Sequence, residues 1–456
     1  MAIDIENINK SKLDKLAVSF ASEFAQAEKD RQPKETEWLQ SLRQVKGIHD
    51  PEIQFATNES QIYSQYTRSK VIPLQDKLNQ HLLPEKEKNW EVKPTPKPKV
   101  PEADLQTIIQ PLVGQDEAGN SIFPSDEEMD REIYRFTEER AAKMSVAIND
   151  GLVEDNDNDK TKAQIKSCIH YGTGIKKGPA TEPYTETETV FETKTGGVGI
   201  KDYLKAFFGL QVKPEGKWVQ KEVTKYRPTG QVASIWSFFP DLSTTDFSKS
   251  KFVYELNRST KHDMRELAKR EDFFGDVIYE ILAGKKDGNY KLRNWEQTIQ
   301  TMNENESQST TIKDYEVIER NGFIDGADLY AAGVLSEDDP RAEYFCNFWI
   351  CEGRCIKISL WPNDLFNKLT DYYHLFYYEK DETSLFGTGL PKILRHRQLA
   401  INAGEGHLLN HAAWLVKPCG EINISLLHPE SAKQASNFGP GSFFGKLGIG
   451  NDANSK

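Results

Sequence analysis

No run of 18 apolar residues occurs in the 456-residue chain, so the sequence offers no membrane-spanning helix. The amino terminus, MAIDIENINKSK, lacks the hydrophobic run of a signal peptide, and the expectation is a soluble, unexported product with no membrane partner. Cysteines are scarce and odd in number: Cys168, Cys346, Cys351, Cys355 and Cys419 are too few for a disulfide framework and suit free thiols in a reducing compartment. Positive charge is outnumbered, with Lys plus Arg at 58 against Asp plus Glu at 70, a formal net charge of -12. Sequence-independent DNA affinity comes from cations neutralising phosphates, so such a chain does not grip DNA. An acidic wall past which a duplex slides remains compatible with that balance.

Catalytic signatures are missing too. No serine stands in a GxSxG elbow, no paired acids have a signature neighbourhood, and no dinucleotide fingerprint opens a βαβ unit. YGTGIKKGP at 171–179 invites comparison with a phosphate cradle, but it lacks the GK pair followed by Ser or Thr at the required spacing, and reads as a glycine turn feeding a strand. The expectation is a protein without catalytic residues or cofactor.

What is present is a long, polar, mixed chain of mean hydropathy -0.65, with length for two to three domains. Leu13, Leu16, Ala17, Phe20, Phe24 and Ala27 mark one face of a first helix capped by Asn9 or Ser11 and ended near Pro33. Trp38, Leu39, Leu42 and Val45 suggest a second, and a third spans 60–83 with Ile62, Tyr66, Val71, Leu74, Leu78 and Leu82 in one stripe. Trp90 and Val92 read as a short strand, and prolines at 94, 96, 98 and 101 impose an extended spacer. Ser125 caps an acid-led helix to Gly151, and a further helix covers 160–168. Residues 183–230 read as hairpins with an inserted helix near 203–208. Ile235, Trp236, Phe238 and Phe239 form a strand turned by Pro240 and Asp241, with Phe252, Tyr254 and Leu256 as its partner. Thr260 caps a helix through Met264, Leu267 and Phe274, with Val277, Ile278 and Ile281 continuing into another. Residues 285–312 read as a loop. Strands return at 315–319, at 323–330, across 344–361 with a hairpin at Gly353 and Arg354, and at 372–378.

Three constellations resemble metal sites and fail on detail. Asp155, Asp157 and Asp159 alternate like a calcium loop, but Lys160 and Lys166 stand where glycine and glutamate belong. Cys346, Cys351, Cys355 and His374 contain no CxxC pair, and His407 and His411, four apart on a helix, lack the glutamate of HExxH. No metal is assigned. Lys392, Arg395, His396 and Arg397 form the strongest local basic patch, for which weak phosphate contact and pairing with a neighbouring subunit's acids both stand open.

The most informative segment is 381–418. Gly387 and Gly389 make a flexible entry, Pro391 suits a first helical turn, and Leu390, Ile393, Leu394, Ile401, Leu408, Ala412 and Leu415 recur as one apolar face until Pro418. Asp381, Ser384, Phe386, Gly387, Gln398, Asn402 and Pro418 together resemble portal proteins of tailed bacteriophages, particularly the short-tailed, podovirus-like type. Two further matches follow in the family's order: Tyr171, Gly172 and Gly174 after a helix, and a strand ending Phe239, Pro240 and Asp241.

The resemblance covers roughly residues 55 to 420 and implies an elongated α+β subunit. Its expected parts are a helical start of the wing (1–92), a proline-rich linker or insertion (93–124) and a mixed wing (125–259). A stem-type helix and loop (260–312), a β-rich clip-like region (313–385) and a long stem-type helix (386–418) follow. A glycine-rich tail (419–456) ends the chain, so the C-terminal part reads as shortened relative to the family. The implied function is structural, a ring of twelve at the capsid vertex conducting double-stranded DNA during packaging and ejection. The implied partners are the large terminase subunit, the major capsid and scaffolding proteins, and head-completion or tail adaptor proteins. The implied location is the virion, after synthesis in the host cytoplasm. Another virion structural protein, such as an adaptor or internal head protein, and a metal-dependent viral enzyme are the alternatives.

Overall fold

A computed structural model of the chain describes residues 8–55, 59–84, 90–112, 114–115, 121–122, 124–193, 216–285, 287–303, 311–336, 341–362, 366, 368–416, 420–423 and 443–446. The protein is α+β and divides into two compact units, residues 1–85, 162–176 and 232–456 in one and residues 86–161 and 177–231 in the other.

The first unit opens with α1 (Lys10–Lys46), whose 37 residues run roughly 55 Å. Asn9 caps its start, and Gly47 ends it in the left-handed conformation at φ 79°. The expected break at Pro33 does not occur. Proline there removes one helical hydrogen bond, but Phe24 and Ala27 before it and Trp38 after it are buried on one continuous face, and that burial outweighs the loss. α2 (Tyr66–Leu82) begins later than the expected residue 60. The amides of Ser60 and Ser64 bond side chains elsewhere instead of starting a helix.

The second unit contains α3 (Glu102–Ile109), which the sequence reading missed, the two-residue strands β1 (Gly114–Gln115) and β2 (Ser121–Ile122), and most of α4 to β4. α4 (Asp126–Glu154) starts with the expected capping box between Ser125 and Glu128. α5 (Asp157–Tyr171), β3 (Thr173–Thr193) and β4 (Gly216–Ala233) have residues in both units. Trp90 and Val92 are not a strand.

The chain then remains in the first unit. It forms β5 (Phe238–Pro240), β6 (Phe252–Ser259), α6 (Lys261–Ala268), α7 (Gly275–Gly284), β7 (Tyr290–Lys291), α8 (Asn294–Met302), β8 (Thr311–Ile312) and β9 (Tyr315–Asp325). α9 (Gly326–Ala331), β10 (Glu343–Cys351), β11 (Arg354–Leu360), β12 (Tyr373–Tyr377), α10 (Leu390–Val416), β13 (Gly420–Asn423) and β14 (Phe443–Lys446) complete it. Three expectations change. Residues 285–312 contain a helix, α8, started by Glu296 accepting from the Arg293 amide. Ile235 and Trp236 lie in a buried turn before β5. The second strand expected at 323–330 is the end of β9 followed by α9. The two helices expected after Thr260 form as α6 and α7, whose Met264, Val277 and Ile278 are core residues. The helix expected near 203–208, Pro418, Cys419 and most of the tail lie outside the described residues.

The central sheet has the order β11-β10-β9-β6-β5, antiparallel throughout. The β10–β11 hairpin turns at Glu352 and Gly353, with φ of 51° and 73°, the paired positive values that a tight two-residue hairpin demands. One core joins α1, α6 and α7 to this sheet through Phe24, Tyr254, Ile318 and Phe348. A second is aromatic, built from Trp38, Trp236, Phe238, Phe345, Tyr373 and Phe386.

Candidate functional site

The two glycine motifs, 214 residues apart at their hydrogen bond, close on each other. The Gly387 amide donates to Thr173 Oγ1 at 2.9 Å, and the Tyr378 amide to the Gly172 carbonyl at 3.1 Å. Gly172 sits at φ +91°, and a Cβ there would overlap the Gly387 carbonyl. A Cβ on Gly387 would come within 2.5 Å of the Gly172 oxygen, and one on Gly389 within 2.6 Å of the His170 oxygen. Glycine is required because backbone meets backbone. Gly174 is held in the same way against the Gln164 carbonyl.

Aromatic rings continue this seam. Phe386 meets Trp38 edge-on at 5.0 Å, Tyr171 meets Trp236 at 5.4 Å, and Trp38 and Trp236 are 5.7 Å apart. Local turn chemistry leads the chain into α10. Asp381 accepts from the Thr383 amide and hydroxyl at 2.8 and 2.6 Å, which holds its carboxyl below the ordinary range, and Ser384 accepts from the Phe386 amide. The third motif lies on the edge strand β5. Phe239 carries the Arg31 guanidinium 3.5 Å above its ring, Pro240 ends the strand, and Asp241 accepts from the amides of Ser243 and Lys251.

α10 has the bounds its sequence implies, but its buried face lies roughly 100° around the helix from the expected one. The buried positions are Pro391, Gln398, Asn402 and Gly406. Gln398 Oε1 accepts from both the amide and hydroxyl of Thr67 at 2.8 Å, and its Nε2 donates to the Ser64 carbonyl at 2.7 Å and to Asn402 Oδ1 at 2.8 Å. Asn402 Oδ1 takes the Ser64 amide at 3.0 Å, and Asn410 Oδ1 takes that of Ser60 at 2.9 Å. Carboxamides thus bind the backbone of the segment before α2. Part of the apolar stripe is uncovered, with Ile393 45%, Leu408 71% and Leu415 72% exposed, while Leu390, Leu394 and Ile401 are half-buried. A cleft of about 290 Å³ lies beside this face, lined in part by His49, Phe55, Ile62, Leu399, Ala403 and His407.

The basic patch is divided. Lys392 pairs with Glu37 of α1 at 2.8 Å, and Arg395 donates to the Glu37 carbonyl at 3.4 Å. His396 and Arg397 are exposed, as are His407 and His411. Among the described residues no group of three or more His, Cys, Asp or Glu side chains is placed to hold a metal ion. Burial pushes the thiols of Cys168, Cys346 and Cys351 up to about 12 and that of Cys355 well above its usual value, so all four are held as neutral thiols. Burial would raise the pKa of Asp155, but hydrogen bonds from Lys160, Thr229 and the Gly230 amide outweigh it and hold the carboxyl low.

The sequence reading passed over Arg31. It is fully buried, pairs with Glu35 at 2.7 Å, and donates to the carbonyls of Ile235 and Trp236 in the turn before β5 and of Phe238 at its start. The signal was available, since Phe24, Ala27, Arg31, Glu35 and Trp38 follow helical spacing and place an Arg–Glu pair on the apolar face. Glu23 with Arg320 and Tyr254, and Glu28 with Arg293, make further polar ties from α1. No known protein family and no curated protein matches this chain. Among the described residues no helix is long and apolar enough to cross a membrane.

Proposed function

We propose that this chain is a portal-type connector subunit of a tailed bacteriophage, acting mechanically rather than by catalysis. The observation that carries the reading is the two-sided character of α10. Its inner face is tied by carboxamide bonds to the segment before α2 and to Thr67, and its outer side leaves Ile393, Leu408 and Leu415 uncovered. A long helix of that kind is completed by another surface. The meeting of two of the three motifs, at Gly172–Thr173 and at Gly387, beside the entry to α10 supports the same reading.

In this proposal twelve copies close head to tail around a channel for double-stranded DNA, with α10 as a stem helix and residues 313–385 contributing the clip. The terminase, capsid, scaffolding and adaptor contacts fall on the ring's outer surfaces, and the assembly resides at the virion's portal vertex. Negative-stain electron microscopy of the purified chain tests it. Annular particles of twelvefold symmetry are expected. A compact monomer, a ring of another symmetry as an adaptor would form, or a stoichiometric metal with activity on DNA would overturn it.

A further inference from the structure

Several cations of the first unit meet acids of the same unit: Lys10 pairs with Asp276, Arg293 with Glu28, Arg354 with Glu280 and Lys357 with Asp272. α2 gathers cations without such pairs on one helix. Arg68, Lys70 and Lys77 are exposed and, among the described residues, form no ion pair. At about 100° per residue, Lys70, Lys77 and the exposed His81 fall within roughly 40° of one another, with the lysines about 10.5 Å apart along the axis. Asp76, the one acid of the helix, lies roughly 100° away from Lys77.

α4, in the second unit, has the opposite character. Its first turns expose Asp126, Glu127 and Asp130, which form no ion pair among the described residues, and Tyr134, 41% exposed, shares their side of the helix. Neighbouring acids are engaged: Glu128 closes the capping box, and Glu132 and Glu139 meet Arg135.

We propose that α2 of one copy docks on the acidic start of α4 of a second copy. The inference rests on the ring reading above and names a surface pair for it. Each chain carries one cationic and one anionic patch, so the contact is heterologous and every copy uses both. Such pairs fix register and speed encounter more than they add affinity. Duplex DNA is the less favoured occupant of α2, because the chain carries a net charge of -12 and three or four cations release few counterions.

The test is the association of the full-length chain, followed by sedimentation velocity at 50 and 500 mM NaCl, with circular dichroism as a check on folding. Lys70→Glu with Lys77→Glu should weaken association about tenfold, as should Glu127→Lys with Asp130→Lys. Added salt should weaken the parent in the same direction. All four changes in one chain should restore association, which neither loss of fold nor general charge repulsion would produce. If the parent assembles and the lysine reversals leave it unaffected, or the fourfold variant fails to recover, the docking is wrong while the ring reading stands. A parent that is monomeric throughout removes both. Reversals that abolish DNA binding while leaving assembly intact would assign the stripe to nucleic acid and overturn the proposal.

Discussion

Replacing Arg31 by methionine probes how α1 is fixed to the turn before β5. The guanidinium uses all five of its N–H bonds. Nε and Nη2 donate to Glu35 at 3.0 and 2.7 Å, Nη1 to the carbonyls of Ile235 and Phe238 at 3.1 and 2.6 Å, and Nη2 to that of Trp236 at 2.9 Å. Burial lowers its pKa to about 10, so the group remains cationic at neutral pH. Methionine retains an unbranched apolar stem and removes every donor. Three carbonyls and a carboxylate only 8% exposed then lose their partner. A stranded buried acceptor costs about 1–3 kcal/mol, and a broken buried ion pair about 3–5 kcal/mol. These losses overlap, and we expect about 5 kcal/mol in total, between three and four powers of ten in the local opening equilibrium. Arg31→Lys should recover little, since a lysine offers three donors without the planar fork. Hydrogen exchange read by mass spectrometry on peptides covering 234–256 is the direct assay. Protection there should fall about a thousandfold, while peptides from α4 in the other unit keep theirs. Protection within about threefold of the parent would refute the clamp.

Other perturbations follow from the same geometry. Gly172→Ala should cost at least about 3 kcal/mol, because its Cβ would overlap the Gly387 backbone and φ is +91°; a urea midpoint equal to the parent's would contradict the seam. Gln398→Ala removes the buried partner of Thr67 and Ser64 and should loosen the segment before α2 by about 2–4 kcal/mol. Faster proteolysis between residues 55 and 66 without change in α4 is its readout. His170 has its pKa lowered from 6.5 to about 4 by burial, with the charge of Lys166 adding to the effect. Its neutral form is native, so this contribution is complete above pH 6.5 and is lost as pH falls from 6.5 to 4, up to about 3 kcal/mol. Urea midpoints across that window should slope less in His170→Gln than in the parent.

Elements whose boundaries are set by local chemistry were legible in the sequence. Ser125 and Thr260 cap their helices as expected, Gly353 turns the hairpin, and Gly389 with Pro391 starts α10. Elements decided by distant contacts were not. α1 passes through Pro33 because residues on both sides of it are buried, and residues 60–65 stay outside the helix because the carboxamides of Asn402 and Asn410 reach them from α10. The face of α10 was misjudged for a related reason. Periodicity identifies the apolar stripe as inward, but here the backbone of another segment occupies the inner side, and carboxamides satisfy it as leucines cannot. Within the basic patch, sequence could not separate Lys392, committed to Glu37, from the exposed Arg397.

The position of α1 has a consequence for how the chain is made. Arg31 waits for carbonyls 204 residues downstream, and Glu37 for a lysine 355 residues downstream. At a ribosomal rate of about 5–20 residues per second, those partners emerge roughly 10–70 s after the helix that needs them. The first segment synthesised is therefore among the last to be buried, and its apolar face stays available to other nascent chains or to chaperones throughout that interval. Folding of the first unit cannot proceed from the amino terminus outward; it is completed only after the ribosome has reached α10.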